Sequence, residues 1–430
     1  MNEIMREMIL DFQAETLPTG VKRRLTYNIV PHKAFVCIGV RRCGKSTFLY
    51  QIMDSLEKKK VKRENILYLN FFDDRLEDVR KGNVGSVIEA YYSLFPEKKD
   101  AETIYCFFDE LQEVRGWESF VDRILRTEKC EVFISGSSAK MLSREIATQM
   151  RGRSISWELF PFSFREFLDF KGIDGTAATS KSRHLLQKGF EEFWETGGFP
   201  EVLGVSKKIR TMVHQEYFKA IVHRDVIERF DALHPQAVVD TAFRLLGSAG
   251  SLYSVNRMTG YLKSQGHKVS KDFVGNCIQW FEDAYFLFST KLFDASAARR
   301  NANPKKIYCV DHALVRSVIP GILKDQGHLL ENLVFVHLRR ESGEIYYYRT
   351  ARGNEVDFIA VNGAGAKRLI QVCSSLQDPE TRKREVSSLL EAMKELGIRN
   401  AIIVTFEEID TIRSGESVIE IVPAYKFLVS

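Results

Sequence analysis

Ala34-Phe-Val-Cys-Ile-Gly39-Val-Arg-Arg-Cys-Gly44-Lys45-Ser46-Thr47 carries a run of apolar residues straight into a Gly-x-x-x-x-Gly-Lys-Ser pattern. The pattern predicts a strand, then a loop whose backbone N–H groups turn inward, then a helix that starts at Lys45. Such a loop suits the phosphates of a nucleoside triphosphate. Its glycines let the backbone curl, Lys45 reaches the β- and γ-phosphates, and the Ser46 hydroxyl suits Mg²⁺. The positive end of the helix dipole adds to the attraction. ATP and Mg²⁺ are therefore the expected ligands, with Gly39, Val40, Arg41, Arg42, Cys43, Gly44, Lys45, Ser46 and Thr47 as the nucleotide-binding stretch. Cys43 is either a filler in this loop or a thiol whose oxidation would block nucleotide.

A second stretch supports the first. Thr103-Ile-Tyr-Cys-Phe-Phe-Asp109-Glu110 is an unbroken apolar strand ending in two acids, as expected of a strand buried on both faces of a parallel sheet. Ionised acids at its tip need a cation or water. Asp109 is expected to hold Mg²⁺, directly or through water, and Glu110 to polarise the water that attacks the γ-phosphate. Further strands are expected at Asn65–Phe72 and Glu131–Ser138, with helices at Val84–Leu94 and Trp117–Arg126 between them. That alternation predicts an α/β, doubly wound parallel sheet with its ligand beyond the carboxyl ends of the strands. Ser137 or Ser138 would then lie at the γ-phosphate edge, as a polar sensor or as a helix cap. Met150-Arg151-Gly152-Arg153 offers arginines of the kind that reach a neighbouring subunit's nucleotide.

Composition is that of an ordinary globular chain. Its 62 basic and 57 acidic side chains leave a formal charge of +5 over 430 residues, too little to announce nucleic-acid binding. The length implies two to four domains. No apolar run approaches a membrane span and no signal sequence opens the chain, so a soluble, cytoplasmic protein with no membrane partner is expected. Seven cysteines without a Cys-x-x-Cys pair suit reduced, mostly buried thiols.

Taken together and in order, GVRRCGKST, FFDELQEVRGWE, ISGSSAKMLS, MRGRSISWELFPFSFREF, ETGGFPEV and YFKAIVHRDVIER resemble the AAA+-type P-loop ATPases of prokaryotes that carry a C-terminal DUF4143 domain. The likeness covers nearly the whole chain. It implies an AAA+ core (residues 1–178), a helical lid (179–235), a winged-helix-like segment (236–310) and a C-terminal α/β domain similar to restriction endonucleases and other PD-(D/E)xK nucleases (311–430). Carried over by position, Asp109 and Glu110 become the Walker B acids, Ser137 the sensor, Arg153 the arginine finger and Arg224 a second sensor. A homo-oligomer is among the states such a relative adopts.

In the winged-helix-like segment, Ala237–Ala249, Val255–Ser264 and Lys271–Asp283 read as helices followed by two strands. Lys271, Asn276 and Gln279 are the outward candidates for a DNA groove, opposed by Asp272, Glu282 and Asp283 on the same helix; docking of an unidentified protein is the alternative. At the nuclease-like positions Glu331 and Asp357 fit the pattern. Gln371 brings no charge, and Cys373 lacks the ammonium of the usual lysine. Lys383 is the candidate substitute. The expected function is thus an ATP-driven switch or motor coupled to a recognition domain. The alternatives are an ATP-dependent nucleic-acid-processing enzyme with a nuclease domain, and a slow nucleotide-dependent signalling or defence module.

Overall fold

The computed structural model describes residues 2–137, 150, 152–176, 179–319, 326–341 and 343–429. They fall into two compact units, residues 1–160 and 161–430.

The first unit is built on the expected parallel sheet. Its strands are β1 (Ala34–Ile38), β2 (Ile66–Asn70), β3 (Ile104–Asp109), β4 (Cys130–Gly136) and β5 (Ser154–Glu158), in the order β2-β3-β4-β1-β5. All four pairings are parallel. The side chains of β1 are buried throughout, which is why an uninterrupted apolar run reads as this kind of strand. Phe107 and Phe133 stack at 4.4 Å across neighbouring strands. Because β4 stands between β1 and β3, the phosphate loop after β1 and the acids after β3 are separated by one strand. The helix Lys45–Lys58 follows the loop, with Phe48, Leu49, Ile52, Met53 and Leu56 buried. An N-terminal helix, Asn2–Ala14, sets Phe12 against Tyr68 of β2 at 4.7 Å.

The second unit is a mixed sheet with helices. Its strands are β6 (Leu252–Tyr253), β7 (Leu287–Leu292), β8 (Lys305–Cys309), β9 (Glu344–Arg349), β10 (Glu355–Val361), β11 (Lys367–Val372), β12 (Asn400–Thr405), β13 (Asp410–Ser414) and β14 (Ser417–Pro423). Their order is β13-β14-β12-β11-β10-β9-β7-β8-β6. The helices Pro235–Leu246, Val255–Ser264 and Lys271–Asp283 precede the antiparallel pair β7–β8, in the order expected for the middle of the chain. That pair does not close a separate hairpin domain. Lys291 and Leu292 of β7 pair in parallel with Tyr346 and Tyr347 of β9, so one sheet continues into the C-terminal strands. The polar stretch between β7 and β8 contains the short helix Ala297–Ala302 capped by Ser296. Farther on, the helix Pro379–Leu396 crosses between the parallel strands β11 and β12; Asp378 caps its start and Gly397, at φ 67°, ends it. Val356, Ile359, Leu369, Leu389, Met393, Ile403 and Ile421 form the core beneath it.

The glycines of Glu195-Thr-Gly-Gly-Phe-Pro200 make a turn that leaves no space for a side chain. A Cβ on Gly198 would lie 2.3 Å from the Phe162 carbonyl oxygen, and one on Gly197 2.5 Å from Asp311 Oδ1. The Gly198 N–H donates to Asp311 Oδ2 at 2.7 Å and its carbonyl accepts from Phe162 N at 2.6 Å. The turn is therefore pinned on both sides. Gly198→Ala should destabilise the protein by about 2–3 kcal/mol through overpacking. Gly363→Ala, where a Cβ meets nothing within 4 Å, should be close to neutral; urea unfolding of both variants checks the contrast.

Candidate functional site

The phosphate loop takes its shape from two left-handed residues and one close approach. Arg42 has φ 69° and Gly44 φ 99°, the alternation that turns successive N–H groups into a concavity. Gly39 is needed for a different reason: a Cβ there would sit 2.0 Å from the Leu159 carbonyl oxygen. Leu159 also donates its N–H to Ile38 O at 2.7 Å, so the chain leaving β5 lies directly behind the loop. Cys43 is buried there, with its thiol on Leu159 O at 3.3 Å, which accounts for it as a packing residue.

Lys45, 5% exposed, donates to Gly39 O and Val40 O at 3.2 and 3.3 Å, and its Nζ lies 3.6 Å from Glu110 Oε1. Burial opposes its charge. Glu110 and the other neighbouring negative groups outweigh that and hold its pKa above the ordinary value. Asp109 is fully buried at the end of β3. It accepts from Ser135 Oγ of β4 on Oδ1 and from Tyr68 OH on Oδ2 at 3.1 Å, and it is hydrogen-bonded to the Ser46 hydroxyl. Burial first, then the charge of Glu110, raises the Asp109 pKa; Ser135, Ser46 and Lys45 oppose the rise. Glu110 adopts a left-handed backbone at φ 54°. Its N–H donates to Ser135 Oγ at 3.2 Å and its Oε2 accepts from Gln112 Nε2 at 2.6 Å.

The structure therefore brings together Gly39, Gly44, Lys45, Ser46, Asp109 and Glu110. Two carboxylates face one ammonium there, an imbalance that fits a cation. Among the described residues no set of three or more His, Cys, Asp or Glu side chains is arranged to hold a metal ion. Ser46 and Asp109 could do so only with oxygens supplied by a ligand, which is how Mg²⁺ usually joins a protein to phosphates. Ser137 is 1% exposed and follows Gly136, the partner of Ile38 in β1, so it stands at the loop edge of the sheet. Ser138 and Arg151 lie outside the described residues.

Arg153 stands elsewhere. Its carbonyl accepts from Ala34 N–H at 2.8 Å, at the amino ends of β1 and β5 and hence at the opposite edge from the loop. Its guanidinium lies 3.4 Å from Asp122 Oδ1. Within its own subunit it does not join the site. Arg224 is exposed on the π-helical turn Ile221–Glu228 of the second unit. Lys271, Asn276 and Gln279 are exposed as expected on their helix, although Gln279 donates to Asp283 Oδ1 at 3.1 Å.

Ser135, Tyr68 and Arg23 escaped the motif reading. Ser135 holds Asp109 and the Glu110 N–H at once. Its signal in the sequence is a lone hydroxyl breaking the apolar run Val132-Phe-Ile-Ser135 at the height of the acids.

In the second unit Glu331, Asp357 and Gln371 do meet, around a residue that was not foreseen. Lys306 of β8, 3% exposed in its side chain, places Nζ 2.8 Å from Glu331 Oε1, 2.8 Å from Asp357 Oδ1 and 2.9 Å from Glu355 Oε1. Tyr308 OH donates to Glu331 Oε1 at 2.7 Å. Gln371 accepts the Asp357 N–H at 3.1 Å and donates to Glu385 Oε2 at 2.7 Å. Cys373 turns to the Ser375 carbonyl at 3.0 Å. Lys383, the candidate substitute, is exposed and does not join the cluster. The ammonium thus comes from β8, and it lies between the carboxylates themselves.

Sheet order, loop and acids define a nucleotide-binding P-loop protein of the AAA class. Profiles of three families match the chain: an AAA domain over residues 31–168, DUF8612, a domain of unknown function, over 187–323, and DUF4143, also of unknown function, over 326–427. An uncharacterized protein of Methanocaldococcus jannaschii is 33% identical over 438 residues, covering 99% of this chain and 95% of that one. An uncharacterized protein of Haemophilus influenzae is 29% identical over 357 residues, covering 83% of this chain and 85% of that one. The chain belongs to this family of AAA+-type P-loop proteins with a C-terminal DUF4143 domain. Among solved structures, the Aeropyrum pernix Orc1 protein in complex with DNA matches at a TM-score of 0.34 and 12% identity, over 74% of this chain and 91% of that one. Cdc6p of Pyrobaculum aerophilum matches at 0.26 and 10%, over 64% and 83%. No helix among the described residues is long and apolar enough to cross a membrane.

Two outcomes follow from the Lys306 cluster. Lys306→Met leaves its carboxylates facing one another and should destabilise the protein by about 3–5 kcal/mol, read by urea unfolding. Burial, then the charge of Glu331, pushes the Asp357 pKa up to about 7. A folded-state pKa above the unfolded value near 3.9 gives stability that is complete at low pH and lost as pH rises through about 7. The unfolding free energy of the wild type minus that of Asp357→Asn should therefore fall between about pH 4 and 7; a flat difference would mean that Asp357 stays ionised.

Proposed function

We propose that this chain is a Mg²⁺-dependent ATPase that works as a nucleotide-driven switch, with the second unit as its recognition module. The observation that carries the reading is the joint placement of Lys45, Asp109 and Glu110, tied together through Ser135. Incoming phosphates would exchange the bonds that Lys45 makes to Gly39 O, Val40 O and Glu110, and its ammonium would then sit on the β- and γ-phosphates. That exchange releases Glu110 to orient and deprotonate the attacking water, with Gln112 fixing one of its oxygens. Ser46 and Asp109 would hold Mg²⁺, whose chemistry when bound is to neutralise charge on the transferred phosphoryl group. Ser137 is suited to contact the γ-phosphate.

An arginine finger role for Arg153 would have to act across subunits, because within its own subunit Arg153 stands at the far edge of the sheet. A homo-oligomer is therefore part of this proposal, and Arg224 remains the proposed second sensor. The nuclease alternative is weakened by Lys306, since the position between Glu331 and Asp357 already holds an ammonium. The client recognised by the second unit is proposed to be DNA or protein.

The test is ATP turnover by the full chain with and without Mg²⁺. Lys45→Ala should lose nucleotide affinity. Glu110→Gln should retain ATP and lose turnover by roughly 10²–10⁴-fold, the usual weight of a general base. Turnover no higher in the wild type than in Glu110→Gln would sink the proposal.

A further inference from the structure

From the connector between the N-terminal helix and β1, Arg23 reaches the phosphate loop. Gln51 of the loop helix holds this strap: its Nε2 donates to Thr19 O at 2.5 Å and Val21 O at 2.7 Å, and its Oε1 accepts the Arg23 N–H at 2.9 Å. The strap delivers a guanidinium that is 5% exposed. Nη1 donates to Cys43 O at 2.8 Å, and Nη2 donates to Phe160 O at 2.6 Å. A buried guanidinium forking onto two carbonyls is a specific arrangement, since its donors are fixed in one plane and their bonds are charge-assisted.

We propose that Arg23 is a positioning residue for the nucleotide, holding the phosphate loop open-handed toward the β- and γ-phosphates from behind. The reasoning starts from the planar trans peptide, in which the C=O of one residue and the N–H of the next point in opposite directions. With the Cys43 carbonyl drawn outward to Arg23, the Gly44 N–H is turned inward, toward the side a phosphate would occupy. The neighbouring left-handed residues Arg42 and Gly44 would relax readily to other conformations without such an anchor, glycine above all. Leu159 and Phe160 supply the fixed wall: Leu159 O accepts from the Cys43 thiol, Leu159 N–H donates to Ile38 O, and Phe160 O accepts from the second arm of Arg23. The charge of Arg23 also adds to the positive potential behind the loop.

The inference rests on the phosphate-binding reading of the loop, and the experiment separates the two. Binding of fluorescently labelled ATP and AMP by the full chain would be measured for the wild type, Arg23→Ala, Arg23→Lys and Gln51→Met. The expected result is a loss of ATP affinity of about tenfold or more in Arg23→Ala, in line with removal of charge-assisted hydrogen bonds, with AMP affinity changed little because AMP lacks the phosphates the loop cradles. Arg23→Lys keeps the charge but cannot span both carbonyls, and should fall between. Should Arg23→Ala fail to fold, Gln51→Met carries the test: it loosens the strap and leaves the guanidinium, and should weaken ATP more than AMP. ATP affinity unchanged in these variants, or equal losses for ATP and AMP, would overturn the positioning role. A wild type that binds neither nucleotide would overturn the phosphate-loop reading itself, and the inference with it.

Discussion

A carboxylate held out of water at the end of a strand is the constraint around which the first unit is arranged. Asp109 has no exposed surface, and an isolated charge in such a place is heavily penalised. Hydroxyls from three elements answer it: Ser135 of β4, Tyr68 of β2 and Ser46 at the start of the loop helix. Each of these requires its strand or helix to be in register, so the strand order and the polar cluster specify one another. β4 has to lie beside β3 for Ser135 to face Asp109, which stands one position past the Phe108–Ile134 pair. The negative charge left over after Lys45 makes this edge of the sheet a place where a cation would be balanced.

Around Lys306 the second unit meets the same problem with the opposite solution. Glu331, Glu355 and Asp357 converge, and the chain supplies the cation itself. Glu331 comes from a helix, the two other acids from β10, and Lys306 from β8. The bonds therefore tie the β6–β8 part of the sheet to the C-terminal strands, whose direct connection is the short β7–β9 pairing. Breaking one partner of such a group is far more damaging than never having had it. The middle and C-terminal portions of the sequence are joined here by one ammonium shared among three carboxylates.

What could be read from the sequence was whatever lies close along the chain. The loop from Gly39 to Ser46 and the pair Asp109-Glu110 declare themselves because their spacing is local and their chemistry dictates residue type. The helices Val255–Ser264 and Lys271–Asp283 stand where periodicity and caps place them. The departures at Gln371 and Cys373 were legible too; the group that took over was not. Lys306 is separated from Asp357 by 51 positions and Arg23 from Phe160 by 137, and neither belongs to a spaced pattern. Lys383 was the nearer guess in sequence, yet its place on the outer face of its helix turns it to solvent. Gly197 and Gly198 were legible as a turn. Their closeness to Asp311 and Phe162 was not, because it depends on folding across more than a hundred residues in one case.

The exit from the first unit completes the physical picture of the loop. Leu159 and Phe160 are at once the back wall of the phosphate loop and the last residues of the unit. Phe160 precedes Pro161, and a residue before proline is confined largely to extended conformations. Arg23 thus ties Cys43 to a stretch of chain with few conformations open to it. The residues that form this wall are the same ones that make Gly39 indispensable, since a Cβ there would lie 2.0 Å from the Leu159 carbonyl oxygen.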